Sequence, residues 1–245
     1  MIGYAIQWLR SLIFNACMYL AMVVLAIFFL PMAMASRGWA FRAVHTYTGT
    51  VLWMARWMVG LKSEIRGTPP KGEVLIASKH QSFLDIIMIV DATPRPRFIM
   101  KSILRFAPIL GWFAQRIGCV PVDRGKRAKA IEQMVTGVEN NPAGPGQLII
   151  YPQGTRVAPG ASKPYKVGTF ILYDRLKQQV VPVATNVGVF WRRRGVYRRP
   201  GLAVVEFLDP IEPGMQQDPF MARLVEVVET RSNALMHEAG FEPAP

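Results

Sequence analysis

Residues 12–30 read LIFNACMYLAMVVLAIFFL, and only Asn15 among them is clearly polar. As a helix this stretch spans about 28 Å, close to one bilayer hydrocarbon core. Such a segment must be covered by lipid or by protein, and it is followed at once by Pro31. Ala33-Met34-Ala35 has the small-residue pattern of a signal-peptidase site. The apolar run is longer than a usual signal core, however, and only Arg10 and the amino terminus supply positive charge ahead of it. No acidic residue occurs before Glu64, whereas Arg37, Arg42, Arg56 and Lys62 follow the run. The positive-inside rule then places that side in the cytoplasm, on the inner (cytoplasmic) membrane. Residues 40–60 are less uniformly apolar and carry Trp53 and Trp57, which suits a helix at the membrane interface. Residues 1–62 are therefore expected to be a two-helix anchoring region. It is either a span followed by an interfacial helix or a hairpin that enters the membrane and returns.

The pattern changes after Lys62. Short apolar runs expected as strands lie at 73–78, 97–101, 119–122, 147–151, 180–185 and 203–208. Between them fall helical patterns at 82–91, 102–117 (broken by Pro108), 127–140 and 168–177, and an amphipathic helix runs from Asp218 to the end. Strand–helix alternation predicts an α/β fold over residues 63–245, a largely parallel sheet flanked by helices.

The chain has 245 residues, is 51% hydrophobic and carries a net charge of +13. Apolar and basic character together favour membrane lipids and anionic substrates as partners. No zinc-finger spacing or aromatic RNA-binding signature is present, so no nucleic acid partner is expected. Cys17 and Cys119 sit in apolar surroundings and are too few for a disulfide framework or a metal site.

The stretch SKHQSFLD, residues 78–85, falls where a strand ends, the place where α/β sheets put ligands. Ser82 is a candidate N-cap, with Asp85 then at the third helical position and its carboxylate aimed back at His80. A carboxylate on one imidazole nitrogen fixes the tautomer and leaves the other nitrogen to accept a proton. The same spacing also fits a carboxylate that merely caps its own helix. Other strand ends add Lys101, Asp123-Arg124, and Gly154, Thr155 and Arg156. Glycine admits close backbone approach, and arginine grips phosphate with two bonds. No GxSxG, P-loop, HExxH or CxxC pattern occurs, so neither a covalent serine nor a metal or cofactor is expected.

Taken in order, these segments resemble the glycerolipid acyltransferases, most closely the 1-acyl-glycerol-3-phosphate (lysophosphatidic acid) acyltransferases. The H-x4-D block is His80 to Asp85. The K-x2-L-x3-P-x2-G segment is Lys101, Leu104, Pro108 and Gly111. The next block is Gly118 to Arg124, with Pro121 where an aromatic is usual. The Phe-Pro-Glu-Gly-Thr-Arg block stands here as Tyr151-Pro152-Gln153-Gly154-Thr155-Arg156, and Val-Pro-Val lies around Pro182. The resemblance covers residues 73–185. It implies a membrane-bound enzyme that moves an acyl chain from acyl-CoA or acyl carrier protein, as substrate, to the sn-2 hydroxyl of lysophosphatidic acid. His80 is then the general base, Asp85 its orienter, and Lys101, Arg124 and Arg156 the phosphate grips. Gln153, Gly154 and Thr155 complete the substrate site. Gln153 replaces the family's glutamate, which leaves open another lysolipid acceptor. A thioesterase and a lipid-binding relative without turnover are the rival readings.

WRRRGVYRR, residues 191–199, has five arginines and no acid. Anionic head groups, an acidic carrier protein and the phosphates of coenzyme A all suit it. His45 and His237 lack a partner constellation.

Overall fold

The computed structural model describes residues 2–123, 127–141 and 143–242. Two helices come first, α1 (Ile2–Ala35) and α2 (Arg37–Val59), joined at Ser36, whose Oγ accepts the Gly38 N–H. They fold back on each other. Gln7 near the start of α1 donates to the Val59 carbonyl at the end of α2, and Arg10 donates to the Met58 carbonyl. Pro31 lies inside α1 without ending it. The α1 helix is long and apolar enough to cross a membrane, and most of its surface is not covered by the rest of the chain.

Gly60 caps α2 in the left-handed conformation, and strand β1 (Leu61–Arg66) starts immediately. There follow β2 (Val74–Ser78), α3 (Leu84–Ala92), β3 (Pro96–Lys101), a 3-10 turn over Ser102–Phe106, α4 (Leu110–Arg116) and β4 (Val120–Val122). Then come α5 (Arg127–Glu139), β5 (Gln147–Ile150), α6 (Gly168–Leu176), β6 (Val180–Thr185), β7 (Gly201–Phe207) and α7 (Gln217–Glu238). The seven strands form one sheet in the order β1-β7-β6-β2-β5-β3-β4, with only the β6–β7 pair antiparallel. This is the α/β, largely parallel sheet flanked by helices that the alternation predicts.

Central strands are buried on both faces, and their side chains divide by the pleat's period of two. Ile76, Ile149, Val181 and Val183 pack with α1–α4, whereas Leu75, Leu148, Ile150 and Val180 pack with α5, α6 and α7. Phe14 and Met18 of α1 and Val51 and Ala55 of α2 belong to the first of these cores, so the N-terminal helices and the sheet share one apolar interior.

Two sequence expectations need correction. Hydropathy does not reveal the 61–66 strand: LKSEIR is mostly polar, Leu61 is its one buried residue, and it takes strand geometry only by adding to the sheet edge beside β7. The α3 helix begins at Leu84 rather than at Ser82, and the residue preceding it, Phe83, makes no side-chain cap bond. Ser82 Oγ still accepts the Leu84 N–H at 3.2 Å, while Asp85 sits in the first turn.

Candidate active site

Strands β2, β5, β3 and β4 are parallel neighbours, so their carboxyl ends share one edge of the sheet. His80 follows β2 by two residues. Its Nδ1 lies 2.9 Å from Asp85 Oδ1. Asp85 is fully buried, and the His80 side chain is 12% exposed. The second carboxylate oxygen, Oδ2, accepts the backbone N–H groups of Gln81 and Ser82 at 2.8 and 2.7 Å. One carboxylate oxygen thus ties down the loop ahead of α3, and the other faces the imidazole. A carboxylate can only accept here, so Nδ1 carries the proton and Nε2 presents its lone pair. Among the described residues Nε2 has no protein partner.

The imidazole is also held by its face. Tyr151, just beyond β5, stacks on His80 with ring centroids 3.8 Å apart at 18°, and Phe98 of β3 continues the stack at 6.1 Å. Burial, and next the Asp85 charge, push the Tyr151 phenol well above its ordinary pKa. Its hydroxyl lies near that carboxylate but outside hydrogen-bonding geometry with any group among the described residues. The sequence block contains Tyr151, but nothing in the block assigns it to the base; only the adjacency of β2 and β5 could have done so.

The turn after β5 brings Gln153, Gly154, Thr155 and Arg156 to the same edge. Val157 N–H donates to the His80 carbonyl at 2.7 Å and ties the turn to the histidine loop. Gly154 has φ +67°, a left-handed conformation that calls for glycine, whereas the group nearest a Cβ there is the movable end of Lys166, with Nζ at 2.8 Å. Gln153 is buried, with its Nε2 toward the Lys163 carbonyl and Glu229 of α7. Its Oε1 has no partner among the described residues. Arg156 reaches the Arg193 carbonyl, at 3.5 Å, and has no acidic partner among the described residues.

Lys101 ends β3 with its side chain exposed at the same edge, and it too has no acidic partner among the described residues. Arg124 lies outside the described residues. Just before it, Asp123 N–H donates to Gln133 Oε1. Hydrogen bonds from Ser102 and then Gln133 keep the Asp123 carboxyl below its ordinary pKa. Behind Lys101, Gly111 is packed so closely that a Cβ would sit 2.4 Å from the Arg105 carbonyl oxygen, which explains the glycine of that block. Ile109, with φ +62°, turns the chain between the 3-10 segment and α4. Beside it opens an apolar cavity of about 140 Å³, lined among others by Met22, Leu25, Tyr47, Phe98 and Phe113.

The arginine-rich loop packs on α1. Arg198 donates to Asn15 Oδ1 at 2.7 Å and lies over the Trp191 ring at 4.2 Å, and Asn15 donates to the Val196 carbonyl. Gln7 also donates to the Arg198 carbonyl, and Tyr4 stacks on Tyr197. Gln7, Ser11 and Asn15 recur at every fourth position and so share one face of α1, but no local pattern signals that this face meets a distant loop. His45 and His237 stand apart from the edge, against the Pro94 carbonyl and Glu242 respectively.

The histidine–carboxylate pair at a strand end and the Gly-Thr-Arg turn on the neighbouring strand both lie within a segment that the model of a known family matches. The family model described as Acyltransferase matches residues 62–186, half of the chain. The chain belongs to this acyltransferase family. It is 30% identical over 194 residues to the 1-acyl-sn-glycerol-3-phosphate acyltransferase of Saccharomyces cerevisiae, across 76% of this chain. That match covers 64% of the yeast protein, so the chain spans less than two thirds of that relative's length. The enzyme of the same name from Pseudomonas aeruginosa is 24% identical over 204 residues, covering 82% of this chain and 78% of the relative. In structure, this acyltransferase chain resembles the crystal structure of the 1-acyl-sn-glycerophosphate (LPA) acyltransferase PlsC from Thermotoga maritima. The TM-score is 0.79, with 95% of this chain and 98% of that one covered, and at 18% identity this likeness speaks for the fold alone.

Proposed function

We propose that the protein transfers an acyl chain from a thioester, acyl-CoA or acyl carrier protein, to the sn-2 hydroxyl of lysophosphatidic acid, giving phosphatidic acid. The observation that carries this reading is the His80–Asp85 pair, with Nδ1 fixed and Nε2 open at the sheet edge beside cationic residues. The names of the curated relatives point to the same acceptor.

His80 Nε2 takes the proton of the acceptor hydroxyl as that oxygen attacks the thioester carbonyl carbon. Asp85 holds the tautomer and stabilises the imidazolium. The C–S bond then breaks, and the thiolate leaves with the proton that His80 had accepted. Tyr151 keeps the ring in plane. Arg156 and Arg124 grip the acceptor phosphate, with Lys101 beside them, and the Gly154–Thr155 backbone allows close approach. Gln153 Oε1 accepts a hydrogen bond from the acceptor. The apolar cavity beside Ile109 and Phe113 receives part of an acyl chain.

The membrane is the second partner. The α1 helix of 34 residues is about 51 Å long, more than one hydrocarbon core. One side is fixed to the domain through Gln7, Ser11 and Asn15. The other exposes Ile6, Leu9, Leu20, Ile27 and Phe28, and α2 exposes Trp53 and Trp57. A helix bonded along its side to a water-facing domain enters one leaflet rather than crossing. The basic residues Arg37, Arg42, Arg56 and Lys62 suit the cytoplasmic face of the inner membrane.

Gln153 favours a second reading, the same chemistry on a different lysolipid. An acceptor panel in mixed micelles with purified full-length protein separates the two. Acyl-CoA is supplied, lysophosphatidic acid is compared with neutral and zwitterionic lysolipids and with no acceptor, and thiol release is followed beside lipid product. Release that depends on lysophosphatidic acid is expected. Preference for another lysolipid moves the assignment to it, and release without any acceptor indicates a thioesterase.

A further inference from the structure

The residues on either side of His80 are both buried, and both turn their side chains to α7, which lies beyond the matched family segment. Gln81 donates from Nε2 to Met236 Sδ at 3.3 Å and accepts the Gly188 N–H. Lys79 is 2% exposed and donates to Glu229 Oε2 at 2.5 Å. A buried ammonium requires a counter-charge, and Glu229 is the carboxylate bonded to it. The other Glu229 oxygen, Oε1, accepts the Tyr165 hydroxyl at 2.9 Å and lies 3.5 Å from Gln153 Nε2. Gln153 is 2% exposed, and Glu229 is 26% exposed. Two acceptors, the Lys163 carbonyl and Glu229, fix which end of the amide is Nε2. Gln153 Oε1 is therefore the acceptor left without a partner among the described residues.

We propose that Glu229 is a positioning residue for this site. Through Lys79 and Gln153 it fastens the two strand-end segments that carry His80 and Arg156, and its charge requires a neutral side chain at position 153. The inference rests on the reading of residues 78–85 and 151–156 as one active site. A carboxylate at 153 would face Glu229 at the 3.5 Å now spanned by a hydrogen bond. Two carboxylates so close share one proton, and one of them titrates far above its usual range. The titratable groups bonded to Glu229 are Lys79 and Tyr165. On its own helix, Glu226 pairs with Arg223 on the exposed side.

The test compares Gln153→Glu, Glu229→Gln and the double variant in the full-length protein, by rate against pH and by thermal unfolding against pH. Gln153→Glu is expected to lower kcat at pH 8 by about a hundredfold, the scale of a misplaced site. The deficit should shrink as pH falls, because protonation relieves the carboxylate pair. The Tm deficit of this variant should shrink over the same pH range. In Glu229→Gln the carboxylate pair cannot form, and Lys79 loses its counter-charge instead, so a loss that deepens as pH falls is expected, opposite in sign to that of Gln153→Glu. The double variant should be at least about tenfold faster than Gln153→Glu at pH 8 and have a wild-type-shaped Tm profile. Gln153→Glu with wild-type rate and Tm at pH 8 would overturn the proposal, as would a double variant no better than Gln153→Glu in both readouts. A wild-type protein without acyl transfer would instead sink the functional reading, and the Tm profiles would still decide this one.

Discussion

The two ends of the candidate site are built differently. At the β2 end Asp85 is bonded through both oxygens and His80 is held by Asp85 and by the Tyr151 ring. At the β3–β5 end Lys101 and Arg156 stand without an acidic partner among the described residues. The first end is complete before any substrate arrives, as a base must be if its orientation is not to be organised at the moment of reaction. On the proposed function the second would be completed by the acceptor's anion, for which its cations without an acidic partner among the described residues are suited. Rate should therefore reside at one end and acceptor affinity at the other.

The largest expected effect is at the base. Replacing His80 with Ala should lower kcat by about 10²–10⁴-fold, measured with saturating acceptor and donor. Asp85→Asn should fall nearly as far, because an amide there disturbs the tautomer; the His80→Ala, Asp85→Asn double variant should be no worse than His80→Ala alone, since the pair acts as a unit. At the other end, Arg156→Ala should cost about 10–100-fold in kcat/KM, chiefly through KM for the phosphorylated acceptor. An equal loss in kcat at saturation would break the division between the two ends. The smallest effect is expected for Tyr151→Phe, which keeps the stack and removes a buried hydroxyl without a hydrogen bond. Its rate should stay within about threefold of wild type, and its stability should be equal or higher.

The same contrast explains what sequence could show. Strands β2, β5 and β6 are legible because burial on both faces forces continuous apolar runs such as VLIAS. The His80–Asp85 pair is legible because a helix start brings residues five apart together. The Gly-Thr-Arg turn is legible because its left-handed backbone calls for a glycine. Strand β1 is hidden, because an edge strand needs only one buried residue to define its inward side. Lys79 and Glu229 are hidden for another reason: they are 150 residues apart, and only the docking of α7 beside β6 and the histidine loop joins them. The polar positions of α1 likewise take on meaning only where the 191–199 loop covers them.

The most direct measurement is the single-turnover rate of phosphatidic acid formation by His80→Ala beside wild type, in mixed micelles with lysophosphatidic acid and acyl-CoA. Wild-type turnover, with a loss of at least about a hundredfold in a variant that still unfolds cooperatively near the wild-type Tm, is the predicted result. A folded His80→Ala protein that turns over at close to the wild-type rate would contradict the account, because no base would then reside at His80.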